Sequence, residues 1–192
     1  MNIQQRNKDI YNQKRSFMCG TIEYINEQWV FFEAEEDEAF LLFEIAEDGL
    51  EIYLSDEWVP AVLLESGELY LHTLHTYEMN NGDAVRIRKK LPFAYMELLQ
   101  ELPEDAFLQF TKLLNSINIS LYDNVYCHNT LYFLPANRRK EGVNFIVYDN
   151  GTFICSVQHY FERGKNQSDR FEYTLQTGKR LLFTKMEQRK VE

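Results

Sequence analysis

From Phe17 to Lys90 the apolar residues fall in short runs, many alternating with polar ones, and each run stops at a turn-forming cluster. That period of two is the signature of half-buried strands. GTIEYI meets QWVFFE across Asn26-Glu27, a two-residue connector that predicts a hairpin although the pair is not a favoured one. AFLLFEI (39 to 45) reads as a further strand, followed by a turn at Glu47-Asp48-Gly49 and the strand LEIYL (50 to 54). WVPAVLLE and ELYLHTL flank Ser66-Gly67, the best two-residue hairpin signal in this half. Pro60 places its run at a strand start, an edge or a bulge, because proline cannot donate to a ladder. Asn81-Gly82 leads into DAVRIRK, where Val85 and Ile87 alternate with charged positions. About six or seven short strands of this kind predict a small antiparallel sheet or an SH3-like barrel.

At Leu91-Pro92 the period changes. Tyr95, Leu98, Leu99 and Leu102 recur at helical spacing, and Pro103-Glu104-Asp105 repeats a helix start ahead of Ala106, Phe107, Phe110, Leu113 and Leu114. A helical pair is predicted from about residue 92 to 116. Strands then return. VYCHNTLYFL (125 to 134) reads as one, ending at Pro135 and a basic loop; NFIVY and TFICSVQHYF flank Asp149-Asn150-Gly151, and RFEYTLQ and KRLLFTKM flank Thr177-Gly178. GKNQSD (164 to 169) reads as a loop. Residues 1 to 16 form a polar arm that is either solvated or a short helix. The class is therefore α+β: an arm, a β-rich lobe over 17–90, and a helical pair with a second antiparallel lobe over 91–192.

Charge sharpens the division. The 192 residues carry a net charge of -10. No Lys or Arg stands between Arg15 and Arg86, an interval holding 17 Asp and Glu, whereas residues 86 to 192 hold 16 basic and 12 acidic side chains. An acidic chain argues against nonspecific nucleic-acid binding and against an anionic membrane surface. No apolar stretch is long enough for a transmembrane helix, the first residues lack the apolar centre of a signal peptide, and Cys19, Cys127 and Cys155 are odd in number and far apart. A soluble, cytoplasmic protein with reduced thiols is expected.

Candidate chemistry is sparse. The run Glu33, Glu35, Glu36, Asp37, Glu38 has oxygen ligands in plenty, but it lacks the glycine and the spaced glutamate of a calcium loop. A solvated hairpin loop or a patch for a basic protein partner remains, with Glu35, Glu36 and Asp37 as its charges and Trp29 and Trp58 as aromatic anchors. The acidic lobe and the basic groups of the same molecule are alternative partners for one another. Arg88, Lys89, Arg138 and Arg139 are the candidate anion or RNA contacts, with Tyr126, Tyr132 and Phe133 as rings on which nucleic-acid bases would stack. Cys127-His128 and Cys155…His159 lack paired-ligand spacing for zinc, and no GxSxG, GxGxxG or P-loop motif occurs. No catalytic residue, cofactor or metal is assigned. The expected function is non-catalytic binding of another protein through an acidic surface. The alternatives are a small hydrolase-type enzyme whose site forms only in the fold, and RNA or anion binding through the segments 86–90 and 138–140.

Overall fold

The computed structural model describes residues 2–34, 38–134, 140–164 and 166–188. It is an α+β protein with two antiparallel sheets, one of eight strands and one of five. The chain divides into two compact units, Ser16–Lys89 and a second made of residues 1–15 with 90–192.

Helix α1 (Ile3–Tyr11) opens the chain, so the polar arm takes the helical one of its two readings. The Asn2 side chain caps it by accepting the Gln5 N–H at 2.8 Å. Ile10 is fully buried, and the Arg6 guanidinium donates to the carbonyls of Leu99 and Gln100.

The unit Ser16–Lys89 contains β1 (Phe17–Ile25), β2 (Gln28–Glu33), β3 (Ala39–Leu41), β4 (Leu50–Leu54), β5 (Glu57–Leu63), β6 (Leu69–Leu71), β7 (Thr76–Tyr77) and β8 (Ala84–Arg88). Their order is β3-β2-β1-β8-β4-β5-β6-β7, so the last strand lies between the first and the fourth. Asn26 and Glu27 both take positive φ, as do Ser55 and Asp56, which is the backbone of a type I′ hairpin turn. The run AFLLFEI does not stay a strand. After Leu41 it turns into the short helix α2 (Leu42–Ile45), which buries Leu42 in the core. Ile22, Phe31, Ile52, Ala61, Leu69, Val85 and Ile87 form that core.

In the other unit, helices α3 (Phe93–Glu101) and α4 (Glu104–Ser116) follow the predicted pair. They share a core with β9 (Asn124–His128), β10 (Lys140–Asp149), β11 (Ile154–Arg163), β12 (Asn166–Leu175) and β13 (Arg180–Gln188), which pair in the order β13-β12-β11-β10-β9. Burial alternates along β11, where Cys155, Val157, His159 and Phe161 point into the core. Two expectations are corrected here. Residues 130–133 form helix α5 (Thr130–Phe133) instead of continuing the strand, because the Asn129 carboxamide accepts the Tyr132 N–H as an N-cap. The loop read over 164–169 is short: β12 already begins at Asn166, and Ser168 pairs with Glu162.

A chain of buried polar groups runs through this core. Asn144 Oδ1 accepts the N–H groups of Thr130 and Leu131, so its Nδ2 is left to donate to His159 Nδ1 at 3.1 Å. The imidazole must then carry its proton on Nε2, which donates to Asp169 Oδ1 at 2.8 Å. Arg163 donates to the same oxygen at 2.6 Å. Burial lowers the pKa of His159 despite the opposing Asp169 charge, so the ring stays neutral. For Asp169 burial acts to raise the pKa, but the hydrogen bonds from His159 and Arg163 outweigh it and hold the carboxylate ionised. Phe171 stacks on the His159 ring at 4.3 Å.

Removing the carboxylate with Asp169→Ala leaves the buried His159 N–H without its acceptor and the mostly buried Arg163 guanidinium without its counter-charge. The expected loss is about 3–5 kcal/mol, read from urea unfolding. Stability also depends on pH with a defined sign. Below about 6.5 the unfolded chain protonates His159 and the folded chain does not, so folding weakens as pH falls; Asp169 adds a second loss below about 4. The urea midpoint is expected to be lower at pH 5.5 than at pH 7.5, and less so in His159→Gln; an equal drop in the variant would exclude His159 as its source. Gly20 supplies a steric test, because a Cβ there would stand 1.9 Å from the Phe32 carbonyl oxygen. Gly20→Ala is expected to cost about 3 kcal/mol by overpacking.

Candidate functional site

The β-strand period places every second residue of the eight-stranded sheet away from its core. Val85 and Ile87 are buried, so Arg86 and Arg88 occupy the opposite face. Register then fixes their neighbours. Phe17 stands beside Arg88, Cys19 and Glu51 flank Arg86, Pro60 pairs with Glu51, Trp58 with Tyr53, and Tyr70 with Val62. The result is a strip across β1, β8, β4, β5 and β6.

Arg86 is its centre. Its Nε donates to Glu51 Oε2 at 2.7 Å and one terminal nitrogen donates to the same oxygen. The guanidinium lies 4.3 Å from the Phe17 ring centroid and 4.6 Å from that of Trp58, while Arg88 lies 4.3 Å from Phe17. Trp58 in turn meets Tyr53 at 5.0 Å. Each cation–ring contact contributes about 0.5–1 kcal/mol at a partly exposed site. The charge of Arg86 is answered by Glu51, so the residue works as a brace that holds two rings in place. Next to it Tyr53, Val62 and Tyr70 are each about 40–45 % exposed (43 %, 45 % and 40 %). Aromatic and arginine side chains held rigidly on a surface are what binding hot spots are made of.

Of the residues singled out from sequence, Trp58 and Arg88 lie on this face. Trp29 does not: it packs on the core side, 5.2 Å from the Tyr24 ring. Lys89 contributes its backbone N–H to the Ser16 carbonyl at 3.0 Å. Glu35, Glu36, Asp37, Arg138 and Arg139 lie outside the described residues. Phe17, Glu51, Tyr53 and Val62 were missed, and Arg86 was read only as part of the basic segment 86–90. Part of the signal was present in Ser55-Asp56, a two-residue turn whose recognition would have paired Tyr53 with Trp58.

Two of the three thiols and the buried histidine are inert or occupied. Burial pushes the Cys127 thiol up to about 12 and that of Cys155 to about 11, so neither is a thiolate at neutral pH. Both nitrogens of His159 are engaged. Among the described residues, no three His, Cys, Asp or Glu side chains are grouped to hold a metal ion, and no helix is long and apolar enough to cross a membrane.

A family model described as "Protein of unknown function (DUF2777)" matches residues 4–185, a span that runs through both units. The chain is also similar to the uncharacterized protein YisN of Bacillus subtilis (strain 168). The two are 26 % identical over 179 residues, which cover 93 % of this chain and 90 % of that protein. No solved structure matches.

Arg86→Ala in a Trp29→Phe background tests the brace, because Trp58 is then the single tryptophan. Its emission is expected to shift to the red as the ring loses its cover, with a stability loss of about 1 kcal/mol. Arg86→Lys, which keeps the charge but loses the planar fork, is expected to recover less than half of that loss.

Proposed function

The chain belongs to the family described as protein of unknown function (DUF2777), and from that premise we propose that it is a non-catalytic, cytoplasmic binding protein whose acidic unit recognises a basic segment of another protein. One observation carries the reading: the strip Phe17–Arg86–Trp58–Tyr53, continued by Val62 and Tyr70, is ordered by internal contacts yet left partly open to solvent. The surrounding charge selects the partner. Ser16–Lys89 holds 17 acidic and 3 basic residues, a net charge of -14, and the other unit is at +4. Such a field speeds encounter with a basic chain and rejects acidic ones, while the aromatic strip supplies the desolvated contact that holds it. The charges of Glu35, Glu36 and Asp37 belong to the field in this proposal, and Trp58 to the contact.

The test is affinity capture with purified protein at two salt concentrations, comparing wild type with two variants. Tyr53→Ala/Tyr70→Ala removes two partly exposed rings from the strip, and is expected to weaken retention of the partner about 30-fold or more. Glu35→Lys/Glu36→Lys/Asp37→Lys is expected to slow association and flatten its salt dependence. A partner retained equally by all three proteins would refute the assignment of this face.

A further inference from the structure

A pocket of about 260 Å³ opens where the C-terminal ends of α1 and α4 meet. Two stretches line it, residues 12–15 and Asn115 with 118–120. Its walls are cross-tied. Arg15 donates to both oxygens of Asp123 at 2.6 and 2.5 Å and to the Asn118 carbonyl at 2.9 Å, and the Ser120 hydroxyl donates to the Lys14 carbonyl at 2.5 Å. Arg15 and Asn118 both hold positive φ, at 55° and 59°. A non-glycine residue stays in that region only when its surroundings enforce it, and such positions concentrate at ligand clamps and switches.

Two helix C-termini would ordinarily present carbonyl oxygens and favour a cation. Here most of those oxygens are taken. Lys8 and Ile10 carbonyls accept the Asn12 N–H, and Asp9 accepts the Gln13 carboxamide. At the end of α4, Leu113 accepts the Ser116 hydroxyl, Leu114 accepts Ile117 and Ile119, and Asn115 accepts Asn118. The Asn118 carbonyl takes Arg15 and Asn150 together. No carboxylate lines the pocket, and Asp123 is spent on Arg15. What remains uncommitted is the ammonium of Lys14, the carboxamides of Asn12, Asn115 and Asn118, all on exposed residues of the lining, and the buried Oε1 of Gln13, an acceptor for a hydroxyl.

We propose that this pocket binds a small hydroxylated anion, the chemistry shared by sugar phosphates and hydroxy acids. Lys14 meets the anionic oxygens. The three carboxamides, each both donor and acceptor, meet the hydroxyls. The volume equals that of about nine waters, enough for one such molecule and too small for a dinucleotide. The site lies wholly in the unit that contains α1 and α4, so it stands or falls independently of the aromatic strip.

The test is a ¹H–¹⁵N NMR titration of the full chain with four probes taken separately: ribose 5-phosphate, citrate, inorganic phosphate and ribose. Saturable shifts at residues 12–15 and 115–120, including the asparagine side-chain amides, are expected for ribose 5-phosphate or citrate; which of the two binds identifies the source of the anion. Lys14→Ala and Asn115→Asp are each expected to weaken that binding about tenfold or more, and Lys112→Ala, elsewhere on α4, to leave it unchanged. Three results would overturn the proposal: no saturable shift up to about 10 mM with either hydroxylated anion, equal affinity for inorganic phosphate, or shifts indifferent to Lys14→Ala.

Discussion

The acidic unit depends on one pairing, that of β1 with β8. Phe17 lies opposite Arg88, and the Ser16 carbonyl takes the Lys89 N–H, so the chain enters and leaves Ser16–Lys89 through the same ladder. Closing a loop of that length costs entropy that only the finished core can offset. In return the pairing sets β8 between β1 and β4, and Arg86 comes beside Glu51 and between two aromatic rings. A slip of one residue would send Val85 and Ile87 to the surface and Arg86 and Arg88 into the core. The core and the aromatic strip are therefore two consequences of one register.

The second unit solves a different problem, how to keep charge and amide groups inside an apolar core. Asn144, His159 and Asp169 are buried, and each finds its donors and acceptors in the next. Because two backbone N–H groups fix the Asn144 carboxamide, the tautomer of His159 is decided as well. The chain ends on α5, whose first N–H groups it holds, and on Arg163, whose mostly buried guanidinium pairs with Asp169. A similar economy appears in the Tyr95 and Tyr148 hydroxyls, which bond each other at 2.8 Å while burial raises both pKa values and keeps them neutral. These groups give direction to a core that Leu and Phe side chains would fill less specifically.

The same accounting separates structure from function. His159 and Cys155, weighed along the chain as metal ligands, are fully buried in the packing. Among the described residues, an aromatic strip on one sheet and a set of amides with one ammonium at two helix ends keep spare capacity. Both are places where the fold holds side chains in position without using their binding faces.

By itself the sequence determined most of the elements. Period-two runs between Asn-Gly, Ser-Gly and Thr-Gly turns marked the strands, period 3.6 after two prolines marked the helical pair, and the charge map marked the acidic unit. Those signals are local, since each depends on residues a few positions apart. Its errors were local as well: AFLLFEI and VYCHNTLYFL each bend into a helical turn, one to bury Leu42 and the other because Asn129 caps the next residues. Tertiary structure alone decided that β8 pairs with β1, that Trp29 turns inward and Trp58 outward, and that Arg86 meets Phe17 and Glu51. It alone brought residues 12–15 against 115–120. Strand order and the meeting of distant segments follow from closing a core around many side chains at once, and no window of neighbouring residues contains that information.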